Sequence, residues 1–272
     1  MNVEQLIIAG ASITNSPWFT WADHAEQYLK PNNVVDLSIK GCGNKFIAMS
    51  VINFLANNEV RPNTQVMAMF TCVDKLDLYV DAEQAHNLKS QKHPPINLQA
   101  RYCGNNESGF WSTGSHFPEI KSYYKENYFN IDWLVTDTIL TIHNLVELCK
   151  TLKVELVCLF DGDIWNYTES DYNQIVLGYN ISPKNFLQGE LASKFQSLLP
   201  VELHQTKSLI EYARERNLPI YNPTCKLHPP SNVHLNWFRD TILPKIKFQT
   251  YSLQQSYLDK VDSFSKEWNN QK

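Results

Sequence analysis

The sequence predicts an α/β fold, a parallel five-stranded sheet with helices on both faces. Two observations predict it. Strand-like and helix-like segments alternate from the first residues onward, the order that produces parallel sheets. The strand-like runs are apolar throughout rather than alternating, as expected where both faces of a strand are covered.

Each element follows in order. Leu6–Ala9 is a short apolar run ending at Gly10, read as strand one. Trp18, Trp21, Ala25, Tyr28 and Leu29 recur at helical spacing, so Trp18–Leu29 reads as a helix. Asn33–Leu37 is strand two, and the stretch Gly41–Asn44 is a glycine-bearing turn. Phe46–Leu55 is an apolar helix and Gln65–Phe70 is strand three. Thr136–Leu152 carries a wide apolar stripe and reads as a helix. Lys153–Phe160 is strand four, Val201–Arg216 a helix, Leu218–Tyr221 strand five, and Asn232–Ile246 the last core helix.

The stretches 74–132 and 161–200 break this rhythm and read as insertions into a single domain spanning 1–272. The tail, about 249–272, reads as an amphipathic helix with Leu253, Tyr257, Leu258, Val261 and Phe264 on its apolar side. No repeats or low-complexity linkers interrupt the 272 residues.

Composition narrows the function classes. Hydrophobic residues at 43% and charged residues at 19% are ordinary for a globular protein. A formal charge of -4 gives no basic face for a nucleic acid. No apolar run nears the roughly 20 residues that span a bilayer. The first apolar run has no basic region before it and is too short for a signal peptide, so a cytoplasmic location is expected. The six cysteines form no CxxC pair and no zinc-finger spacing, so neither a structural metal nor a cofactor is expected. Cys149 and Cys158 lie on apolar segments and read as buried free thiols.

Ligands of open parallel sheets bind outside the C-terminal ends of the strands. Ser12, Gly41–Asn44, Thr71–Asp74, Asp161–Asp163 and His228 each follow a predicted strand, so five strand ends converge on one rim. A serine after strand one and a histidine before the last helix fit a nucleophile and its base, because a serine hydroxyl needs an adjacent proton acceptor to attack a carbonyl.

Read in order, the segments GASIT, KGCGN, TCVD and CKLHPPSNVH resemble the four motif blocks of the SGNH (GDSL-type) hydrolases. These are flavodoxin-like, three-layer α/β/α esterases, lipases and carbohydrate deacetylases. The blocks cover most of the chain outside the insertions, and the long aromatic insertions are similar to those of bacteriophage-encoded members. The resemblance implies Ser12 as nucleophile and His228 as base, with His234 matching the second histidine of the last block. It implies an oxyanion hole from the Ser12 backbone N–H and that of Gly41 or Gly43. Three positions depart from the family pattern. Ala11 replaces an Asp and Val73 replaces the oxyanion Asn, for which Asn44 or Thr71 could substitute. Cys225 replaces the Asp that orients the histidine, and a thiol is a weak acceptor. A backbone carbonyl, or Asp161 or Asp163 at the end of strand four, could orient the ring instead.

The function implied is hydrolysis of a small ester, such as an acetyl ester on a glycan, without a cofactor. The alternative is a degenerate binding or structural module in the same fold, with a virion or a homo-oligomer as its assembly. Ser12 could also act only as a helix cap. Asn232 and His234 read more simply as the start of the last helix.

Overall fold

The computed structural model describes residues 1–40, 42–71, 73, 77–80, 109–112, 131–162, 190–200, 203, 206–220 and 228–270. Strand β1 (Gln5–Ala9) and helix α1 (Trp21–Leu29) are followed by β2 (Asn33–Asp36), α2 (Asn44–Asn57) and β3 (Thr64–Phe70). A β4–β5 pair (Asp77–Val80 and Gly109–Ser112) precedes the long helix α3 (Ile131–Leu152) and β6 (Glu155–Phe160). Helices α4 (Glu190–Phe195), α5 (Leu209–Glu215), α6 (Ser231–Trp237) and α7 (Gln255–Asn270) complete the order.

The main sheet is parallel with strand order β2-β1-β3-β6. Every residue of β1 and of β3 is buried, because helices cover both faces. Side chains leave a strand alternately up and down. Ile7, Ala9, Val66, Ala68 and Phe70 therefore pack with α2 and α3 on one side. Leu6, Ile8, Met67 and Met69 pack with α1, α5 and α6 on the other. The three-layer expectation is met in these described residues.

Of the five expected strands, the described residues hold four in the main sheet. Residues 218–220 join no sheet, and Tyr221 lies outside the described residues. Asn217 adopts a left-handed conformation and the Leu218 N–H donates to the Ala213 carbonyl at the end of α5, the same closure that Lys153 and Val154 make at the end of α3 just before β6.

Helix boundaries also move for identifiable reasons. Helix α1 starts at Trp21 rather than Trp18, because Thr20 and Asp23 form a capping box. Helix α5 is shorter than the expected Val201–Arg216, because a second box, from Ser208 and Glu211, sets its start. The last core helix changes pitch. Helix α6 passes into a π-helical turn at Phe238–Ile242 and a 3-10 turn at Leu243–Lys245. Pro244 has no N–H for an α-helical bond to Asp240, and its ring would meet that carbonyl, so the regular ladder cannot continue.

The tail is helical as expected. Val261, Ser265 and Trp268 of α7 are buried on one side. Phe264 packs edge-on against Phe19, with ring centroids 5.1 Å apart. Cys149 and Cys158 are buried free thiols, and burial pushes the Cys149 thiol up to about 12. No helix among the described residues is long and apolar enough to cross a membrane.

Candidate active site

The strand order places β2 on one side of β1 and β3 on the other, so the chain reverses its winding direction between β1 and β3. Such a reversal opens a crevice at the C-terminal strand ends. Ser12 follows β1 and Thr71 follows β3 at this point.

After β1 the chain makes a single tight turn. The N–H groups of Thr14 and Asn15 both donate to the Ala11 carbonyl, at 3.0 and 3.1 Å. Ser12 is half-buried on this turn, and neither its hydroxyl nor its backbone N–H has a partner among the described residues. Four residues on, the Ser16 hydroxyl donates to the Ser12 carbonyl at 2.7 Å. The Ser16 oxygen also lies 3.3 Å from His228 Nδ1. The turn that carries Ser12 is thus joined to His228 through one hydroxyl.

His228 is held from two further directions. Trp18 meets its ring edge-on, with centroids 5.9 Å apart. Trp268 of α7 donates its indole N–H to the His228 carbonyl at 3.0 Å. The C-terminal helix therefore anchors the histidine loop, a role the sequence pattern alone did not assign it.

His234 plays a different part from His228. It is fully buried, and its Nδ1 accepts the Trp21 backbone N–H at 3.3 Å. It thus ties α6 to the start of α1, in line with the structural reading. Burial, with His24 and His228 nearby, holds its pKa well below the ordinary value.

The expected oxyanion donors are largely committed elsewhere. Gly43 donates its N–H to Asp77 Oδ1, and Phe46 donates to Asp77 Oδ2, both at 2.7 Å. Asn44 clamps the backbone of Thr71: its Oδ1 accepts the Thr71 N–H at 2.8 Å and its Nδ2 donates to the Thr71 carbonyl at 2.9 Å. The side chain of Asn44 thus extends the end of β3 and fixes α2 to it. The proposed donors Gly43, Asn44 and the Thr71 N–H are used in holding the scaffold. Gly41 lies outside the described residues. The Ser12 N–H is the one member of the expected set with no partner among the described residues.

Asp161 ends β6, which β3 separates from β1. Its backbone N–H donates to Phe70 and its carbonyl accepts from Ile210, at 3.0 Å each, so the residue knits β6 to β3 and α5. Asp163 and Cys225 lie outside the described residues. No three His, Cys, Asp or Glu side chains among the described residues converge as metal ligands.

Two residues escaped the sequence reading. Ser16 carries no sequence signal, because a hydroxyl four residues after another serine marks no motif. Asp77 was passed over because its role depends on a β4–α2 contact that no local pattern encodes. Its one sequence signal is that α2 begins after a glycine, which offers no side-chain cap. Replacing Asp77 with Ala leaves two buried backbone N–H groups at the start of α2 unpaired. The expected cost is about 2–3 kcal/mol, read as a lower urea midpoint with unchanged slope. A midpoint within error of wild type would refute the capping role.

No protein-family model matches the chain, and no curated protein does. Among solved structures the chain is similar to a member of the lipolytic protein G-D-S-L family from Veillonella parvula DSM 2008. The identity is 12%, with 89% of this chain and 99% of that chain covered, at a TM-score of 0.44. None of these findings bears on a bacteriophage origin or on a carbohydrate.

Proposed function

We propose that this protein is a serine ester hydrolase of the SGNH type, with Ser12 as nucleophile and His228 as base. The observation that carries the proposal is the link from the Ser12 turn through Ser16 to the His228 ring, at the switch point of the sheet. The ordered motif resemblance adds to it.

In this reading His228 Nε2 takes the Ser12 proton as Oγ attacks the ester carbonyl. The developing oxyanion accepts the Ser12 backbone N–H. His228 then returns the proton to the leaving alkoxide, which departs as the alcohol. Water hydrolyses the acyl-serine by the same route in reverse, releasing the acid. The substrate class we place here is a small ester, such as an acetyl ester on a glycan, a choice that rests on the motif resemblance.

One observation favours the alternative of a binding module. Each oxyanion donor is worth about 10²–10³ in rate, and the Gly43 N–H is already bound by Asp77. A site with a single donor would be slow, so Gly41 carries much of the weight of the enzymatic reading.

The test is intact-protein mass after exposure to a fluorophosphonate. One adduct is expected on the wild type and none on Ser12→Ala, since removing a serine nucleophile costs on the order of 10⁶-fold in turnover. An unlabelled wild type, inactive on acetylated sugars but retaining them in a binding assay, would favour the binding module.

A further inference from the structure

The hydroxyl of Ser16 faces one ring nitrogen of His228. A general-base histidine needs its far nitrogen protonated, so that the nitrogen facing the nucleophile carries the lone pair. An acceptor against the far nitrogen fixes that tautomer. The sequence places Cys225 where the resemblance calls for the aspartate.

Ser16 Oγ contacts two groups, and their chemistry determines where its one hydrogen goes. The Ser12 carbonyl can only accept, and it lies 2.7 Å away. The hydroxyl hydrogen is therefore committed to that carbonyl, the i to i−4 back-bond of serine on a turn. A hydroxyl oxygen keeps lone pairs for accepting after it has donated. The contact of 3.3 Å with His228 Nδ1 must then be N–H donating to Oγ. The Trp18 edge also meets the ring, and Trp268 holds the His228 backbone.

We infer that Ser16 is the positioning residue of His228. It accepts from Nδ1–H and so leaves Nε2 as the basic nitrogen. The purpose of this link rests on the hydrolase reading above, but its existence can be tested without any substrate. A neutral hydroxyl sets the tautomer as a carboxylate does. It lends the imidazolium less charge stabilisation, so turnover slower than that of a full triad is expected.

The same geometry separates Ser16 from Ser12. A nucleophile must direct its proton at the base, whereas the proton of Ser16 is directed at a carbonyl. Ser12→Ala keeps that carbonyl, so it removes the nucleophile without touching the link.

The experiment is two-bond ¹H–¹⁵N correlation of the His228 ring in histidine-labelled full-length protein, at a pH above its titration. His228→Asn supplies the assignment. The wild type and Ser12→Ala are expected to show Nδ1–H. Ser16→Ala is expected to show a mixture of tautomers, and Ser16→Thr, which keeps the hydroxyl, to restore Nδ1–H. Fluorophosphonate labelling should fall between roughly 10²- and 10⁴-fold in Ser16→Ala, the range of a well-placed general base, and recover in Ser16→Thr. An Nε2–H ring in the wild type overturns the inference, and this outcome needs no variant to fold. An Nδ1–H ring that persists in Ser16→Ala overturns it as well, as does a fluorophosphonate adduct mapped to Ser16. The expected tautomers with no adduct on any protein would retire the hydrolase reading while leaving the Ser16 link standing.

Discussion

Lowering the pH from 6.5 towards 4 is expected to destabilise the fold by about 3 kcal/mol through His24 alone. His24 is fully buried between three elements. Its Nε2 donates to the Ser231 carbonyl at 3.1 Å, which fixes the neutral tautomer, and its Nδ1 faces the Tyr257 hydroxyl at 2.7 Å. Burial pushes its pKa down to about 4. Above pH 6.5 the folded and unfolded chains both hold a neutral ring, and stability does not depend on this group. Below 6.5 the unfolded chain takes up a proton that the folded chain refuses until about pH 4. Stability therefore falls by about 1.4 kcal/mol per pH unit across that window and levels off beneath it. His234, lowered in the same direction by burial, steepens the fall. Asp23 and Glu26, whose carboxyl pKa values burial raises, act in the opposite sense at the acid end. The histidine slope is therefore cleanest between pH 6.5 and 5. Urea midpoints across that range should drop in the wild type and drop less steeply in His24→Gln. A flat wild-type profile would refute the neutral, buried state of His24.

This prediction shows where sequence reading stopped. The sheet was legible because Leu6–Ala9 of β1 and Val66–Phe70 of β3 are unbroken apolar runs, the mark of burial on both faces. The amphipathic tail was legible by its spacing. What the tail does was not, because Tyr257 and Phe264 reach His24 and Phe19 across more than two hundred residues, and Trp268 reaches the His228 carbonyl across 40. The expected fifth strand, Leu218–Tyr221, lies only partly within the described residues, and its first three residues join no sheet there. His228 could be found from its motif. Ser16 could not, since a serine four residues beyond another serine is unremarkable until its hydroxyl is seen to touch both the Ser12 carbonyl and the His228 ring. Gly43 illustrates the reverse: the motif reading offered its N–H to a substrate, and the fold gives it to Asp77.

Gly10→Ala is expected to be the most damaging small substitution at the site, costing about 3 kcal/mol or more and removing activity beyond that loss of stability. The reason is close approach. A Cβ at Gly10 would lie 2.0 Å from Thr14 Oγ1 and 2.8 Å from Thr14 Cβ. Thr14 has nowhere cheap to go. Its Oγ1 accepts the Trp21 indole N–H at 3.2 Å, its carbonyl accepts the Thr20 hydroxyl at 2.9 Å, and its N–H is bound to Ala11 at 3.0 Å. Moving it loosens the start of α1 and the turn that carries both Ser12 and Ser16. The clash account makes a specific demand on a double-mutant cycle. Thr14→Ala removes the oxygen that meets the new methyl, so Gly10→Ala should cost less in that background than in the wild type, and the two costs should not add. Additive costs would show that Thr14 is not what excludes a side chain at Gly10. If the coupling is found, the glycine of the GAS segment is required by packing under the turn, whether or not Ser12 attacks an ester. The presence of that glycine then says nothing about catalysis, and the weight of the hydrolase reading falls on Ser12, Ser16, His228 and the Gly41 N–H.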